Sequence, residues 1–122
     1  MNNSVYSLLI DSVVNAYLIE MCGLNPAKSK QIGLVVSSYC DYFGSISYPA
    51  VVDLGLRVVK LGKSSVLYEV GIFEQGHEEV RAVGGFIHVF VDQVGRRPAK
   101  DGLEMEIRQG LQTILTKEKA KL

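Results

Sequence analysis

Residues 2–22, NNSVYSLLIDSVVNAYLIEMC, read as one long helix. Between Ser4 and Cys22 only Asp11 and Glu20 carry charge, so the helix is apolar nearly all round. A helix with no broad polar face belongs inside a core rather than on it. Asn2 or Asn3 supplies the N-cap oxygen, and Gly23 is the usual C-terminal stop. Asp11 then sits mid-helix, where an ionised carboxylate is costly unless something uses it. With Ser4, Ser7 and Asn15 it forms a polar stripe at spacings of three, four and four along one helix face.

Outward from this helix the pattern changes period. The connection through Asn25-Pro26 is a turn signal, and residues 32–43, IGLVVSSYCDYF, are rich in β-branched and aromatic residues, as a strand is. Residues 51–60 and 64–74 alternate, the first with Val52, Leu54, Leu56 and Val58 on one face, the second with Val66, Tyr68, Val70 and Ile72. Gly62-Lys63 and Gln75-Gly76-His77 are the turns that end them. The longest strand spans 80–92, with Gly84-Gly85 marking a bend, a bulge or a close backbone approach. Residues 103–119 return to helical spacing through Leu103, Ile107, Leu111, Ile114 and Leu115. The expectation is one α+β domain over 1–122: a long central helix wrapped by four antiparallel strands joined by short turns, then an amphipathic C-terminal helix. Val51, Val59, Leu67 and Phe73 are apolar on the opposite sheet face, which dimerisation would cover.

Composition narrows the function classes. Lysine plus arginine total 13 and aspartate plus glutamate 13, so no global field draws a polyanion and nucleic-acid binding is not expected. Two cysteines make no disulfide framework and point to a reducing compartment. No run is long enough for a membrane span, and the N-terminus lacks the layout of a signal peptide, so a cytoplasmic protein is expected. Ala120-Lys121-Leu122 is a degenerate form of the S-K-L peroxisomal address, meaningful only in a eukaryote. His77 and His88 have no partner at ligand spacing, so no metal site is expected.

The order of these motifs resembles the hotdog-fold acyl-CoA thioesterases of the 4-hydroxybenzoyl-CoA thioesterase type. The resemblance rests on MNNSVY opening the helix, SYP before a strand, RVVKLGKSSVLYEV as a strand pair and HVFVDQVGRRP closing the last strand. It implies hydrolysis of an acyl-CoA thioester at a dimer interface, with helix N-terminal amides facing the carbonyl. No cofactor is implied, because coenzyme A is part of the substrate. A homodimer or homotetramer is implied, with no nucleic-acid or membrane partner.

The family usually opens with a further strand and a loop of the form D-x-x-G-H-x-N-N. Here Asn2-Asn3 matches the final N-N, and the strand, aspartate and histidine would all lie upstream of Met1. Another branch of hotdog thioesterases carries its carboxylate on the central helix, about two turns after the oxyanion donor. By that alignment the donor is the Asn3 amide, and Asp11 stands eight positions on. Thioester hydrolysis needs such a donor and a carboxylate to activate water or attack directly. The candidate catalytic residues are therefore Asp11 as base or nucleophile, Asn3 through its amide, and Asn15 orienting water. The candidate substrate-binding residues are Asn2, Lys60, Lys63, Ser64 and Ser65, the lysines placed to meet coenzyme A phosphates. Two other functions stay open: a non-catalytic hotdog subunit binding acyl-CoA or a partner subunit, and a hotdog hydratase.

Overall fold

The computed structural model describes residues 3–25, 30–44, 52–95, 97 and 102–116, with side chains from residue 6 onward. The elements are α1 (Asn3–Met21), β1 (Gln31–Tyr42), β2 (Val52–Leu61), β3 (Ser65–Glu74), β4 (Val80–Asp92) and α2 (Met105–Gln112). All strand pairs are antiparallel and the sheet order is β1-β4-β3-β2.

The alternation read from the sequence places the core. Val66, Tyr68, Val70 and Ile72 of β3 are buried, as are Ala82, Phe86 and Phe90 of β4, and each set lines one sheet face. Against that face α1 lays Tyr6, Ile10, Val14 and Leu18, followed by Cys22 just past its end, one residue every four, the spacing that keeps side chains on one helix face. Gly23 takes φ 70° at the helix end, and the Leu24 N–H returns to the Leu18 carbonyl at 3.0 Å.

Three expectations need correction. The helix is not buried all round in the single chain: Leu8 is 64% and Met21 62% exposed, and Asp11 lies on that open side. One sheet face can cover only one stripe of a helix, so low charge on the other side reflects something besides this sheet. The strands are also not a simple succession of neighbours. β2, β3 and β4 follow one another, but β1 pairs with the far side of β4, from Gln31 opposite Asp92 to Tyr42 opposite Ala82. The stretch 45–51 that leads from β1 to β2 lies outside the described residues.

The C-terminal helix is shorter than its periodicity predicts. It ends at Gln112, and the chain then runs along the edge of β2. The Val58 N–H bonds to the Ile114 carbonyl at 3.0 Å, and the Thr116 N–H to the Val58 carbonyl at 2.9 Å. Val58 is fully buried, so its edge-strand amide and carbonyl need partners, and supplying them outweighs further helical turns.

Candidate active site

The groove beside the N-terminal half of α1 gathers most of the chemistry. Its volume is about 480 Å³. Ser7, Ile10 and Asp11 enter from α1, Val35, Ser38, Tyr39, Cys40 and Tyr42 from β1, and Gly85 and Phe86 from β4. Tyr6 meets Tyr42 edge to face at 4.9 Å between ring centroids, bracing the helix start against β1. Burial, with Glu69 and Asp41 nearby, pushes the Tyr39 phenol above its ordinary range, so it stays a neutral donor at working pH.

Asp11 is exposed and meets Asn15 one turn along. The Asn15 side-chain amide donates to the Asp11 carboxylate at 3.1 Å and to the Asp11 backbone carbonyl at 2.8 Å. The polar stripe read from the sequence thus brings Ser7, Asp11 and Asn15 together on one helix side, and Ser7 and Asp11 line the groove. Asn3 is the first residue of α1, so its amide belongs to the helix turn that has no intrahelical acceptors. Eight residues of α-helix rise about 12 Å, which is too far for the Asn3 amide and the Asp11 carboxylate of one chain to serve one carbonyl. Asn2 and the Asn3 side chain lie outside the described set.

Lys60 near the end of β2, Lys63 and Ser64 in the β2–β3 turn and Ser65 at the start of β3 all stand outside the lining of this groove. The turn is closed by the Gly62 N–H bonding to the Ser65 carbonyl at 2.8 Å, and the Ser64 carbonyl accepts from the Phe90 N–H at 2.7 Å. Arg108 donates to the Gly62 and Lys63 carbonyls, both at 2.9 Å, which pins the turn to α2 and leaves both lysines exposed. Arg97 is exposed, and Arg96 lies outside the described residues.

Both histidines stand away from the groove. His88 is 3% exposed on the inner sheet face, bonded to the Tyr68 hydroxyl at 3.2 Å, and burial lowers its pKa to about 4. His77 is exposed in the β3–β4 turn. Both cysteines are free; burial, reinforced by Glu106, pushes the Cys22 thiol up to about 11, well away from reactive thiolate character. Among the described residues no group of three or more His, Cys, Asp or Glu stands together, and no described helix is long and apolar enough to cross a membrane. A second hollow of about 440 Å³ lies on the outer sheet face around Gly55, Gly71 and Phe73. The charged pair in its lining, Arg57 and Glu69, is satisfied internally at 2.6 Å, so it offers little to a thioester.

The sequence pointed to the helix side of the groove but not to its other walls. Ser38, Cys40 and Tyr42 alternate along β1 and so share its inner face, a signal that was present but indistinct in a run of mixed polarity. The Gly84-Gly85 pair proves to be a close approach. A Cβ on Gly84 would stand 2.5 Å from Ile10 Cδ1, and one on Gly85 would collide with the Tyr68 carbonyl.

The described elements form a long helix packed across a four-stranded antiparallel sheet. The thioesterase superfamily matches residues 1–81 of this chain, and the chain belongs to that family, with the hotdog fold. It is similar to the PA5185 protein of Pseudomonas aeruginosa strain PAO1, at 43% identity and a TM-score of 0.90 over 95% of this chain and 80% of that one. A thioesterase from Thermus thermophilus, solved with coenzyme A and Zn, is 26% identical, with a TM-score of 0.72 over 91% of this chain and 82% of that one. The SAV2348 protein of Staphylococcus aureus, solved with coenzyme A, shares the fold at 12% identity, with a TM-score of 0.83 over 98% of this chain and 77% of that one. No curated protein matches the chain.

Proposed function

We infer that this chain hydrolyses the thioester of an acyl-CoA to the free acid and coenzyme A, acting as a homodimer or homotetramer without a cofactor. The observation that carries the reading is the groove in which the Asp11 carboxylate, steadied by Asn15, stands among apolar and hydroxyl-bearing side chains in a member of the thioesterase superfamily. Coenzyme A in the Thermus thermophilus and Staphylococcus aureus structures supports an acyl-CoA ligand. In this mechanism Asp11 draws a proton from water, or attacks the carbonyl itself, while a helix N-terminal amide stabilises the oxyanion. Asn15 holds the carboxylate and orients the water. The rise of about 12 Å between Asn3 and Asp11 makes each site composite: Asp11 of one chain works with the Asn3 amide of the other. Asn2, Lys60, Lys63, Ser64 and Ser65 then serve the coenzyme A portion, the lysines by pairing with phosphate.

The test is thiol release from a panel of acyl-CoAs by the native chain, Asp11→Asn and Asn3→Pro, which removes the amide at a helix position that tolerates proline. Each variant alone should lose two or more orders of magnitude in kcat, the scale of losing a base or an oxyanion donor. An equimolar mixture of the two variants, after subunit exchange, should recover about a quarter of native activity, because about half of the dimers are hybrids and each hybrid keeps one of its two composite sites. No recovery would place both groups in one chain's site. Saturable acyl-CoA binding without turnover, unaffected by Asp11→Asn, would replace this reading with that of a non-catalytic binding subunit.

A further inference from the structure

In the N-terminal half of α1 one side chain reaches across to the backbone of β4. Ile10 is 4% exposed, lines the groove next to Asp11 and lies on Gly84 of β4. The approach is so close that a Cβ on Gly84 would stand 2.5 Å from Ile10 Cδ1 and 2.9 Å from the Tyr39 carbonyl oxygen. Glycine is what lets the helix side chain reach the strand backbone. Phe86, 4% exposed, forms the adjoining wall. Behind that contact the space between helix and sheet is filled, with Val14, Tyr68, Val70 and Ile72 each at 0% exposure.

We propose that Ile10, seated on Gly84, is the residue that sets acyl length, and that the substrates are short-chain acyl-CoAs whose alkyl end stops against it. This rests on thioester hydrolysis at Asp11 as inferred above. A carbonyl held at Asp11 has the neighbouring groove wall, Ile10 and Phe86, as its apolar direction into the protein. Each methylene buried there strengthens the interaction about fourfold. Once the chain end meets Ile10, the next methylene finds no room inward and turns back toward water, so the gain stops. A close-packed interior does not yield a further cavity without rearrangement.

The experiment measures kcat/KM by thiol release for acetyl- through dodecanoyl-CoA, below micelle-forming concentrations, with the native chain, Ile10→Val and Ile10→Ala. Ile10→Val removes the methyl group that sits on Gly84 and preserves the β-branched core residue, so the test survives if Ile10→Ala does not fold. In the native chain kcat/KM should rise with length and break at a short acyl group, level or falling beyond it. In Ile10→Val the break should move to a longer acyl group, with the octanoyl-to-butyryl ratio up about fourfold or more. Reading the ratio within each variant cancels any general loss from a loosened core. A rise that continues to dodecanoyl-CoA in the native chain, or an unmoved break in Ile10→Val, overturns the proposal and leaves thioester hydrolysis standing. No turnover at any length overturns both.

Discussion

His88 shows how a polar residue survives inside this sheet. Its ring is packed among Tyr68, Phe86 and Phe90, with centroids 5.2, 4.6 and 5.6 Å away, and its Nδ1 meets the Tyr68 hydroxyl. Gly33 makes the room, since a Cβ there would lie 2.7 Å from that nitrogen. Burial favours the neutral ring and lowers the pKa from 6.5 to about 4. The unfolded chain therefore binds the proton more readily than the folded one as pH falls through this range. Stability is full above pH 6.5 and is lost progressively between pH 6.5 and 4, by about 3 kcal/mol at the lower end. Urea titrations across that interval should show the loss, and His88→Leu should flatten that part of the profile. An equally steep profile in the variant would assign the acid sensitivity to other groups. At the same scale Asp11 differs in kind: it is exposed and bonded to Asn15 rather than packed in the core.

At the scale of elements, the two edges of the sheet are treated differently. The C-terminal end of β2 is covered by the strap from Ile114 to Thr116, which satisfies both backbone groups of the buried Val58. Ending the chain at Thr113 removes both bonds and should cost about 2–6 kcal/mol, at roughly 1–3 kcal/mol for each buried group left unpaired. A midpoint shift in urea with an unchanged slope would measure it, and an unchanged midpoint would show that water replaces the strap without loss. The periodicity of residues 103–116 could not disclose this change from helix to strap. Ile114 and Leu115 fit the helical spacing, and only the unpaired edge of β2 turns the chain aside. The crossing of α1 and α2 is likewise a tertiary matter. A Cβ on Gly110 would stand 2.5 Å from the Cys22 sulfur, and the Tyr17 hydroxyl donates to the Gly110 carbonyl at 2.5 Å.

At the scale of the whole molecule, the edge of β1 away from β4, unpaired among the described residues, lies beside exposed apolar surface. Val35, Val36 and Phe43 are 50%, 60% and 65% exposed, and Leu8 of α1 is 64% exposed. An unpaired strand edge with apolar flanks is a surface that a second copy can cover. The composite site proposed above requires such a copy. Val36→Lys with Phe43→Lys should shift the protein to monomer in light scattering and remove thioesterase activity together. Activity in a proven monomer would contradict the composite site.

The local pattern by itself determined the α+β class, the central helix, the four strands nearly to their ends and the inward faces of β2 and β3. Those features follow from the periods of 3.6 and 2, which every residue carries locally. The same reading isolated Asp11 and Asn15, because a carboxylate and an amide four apart on an apolar helix are conspicuous in any context. Only the tertiary structure decided that β1 pairs with β4, that Asp11 lies open beside a groove, and that Ile10 meets Gly84 at its wall. It also separated the β2–β3 turn from that groove. These are relations between residues far apart along the chain, set by which hydrogen-bonding edges and apolar faces find partners, and no local period encodes them.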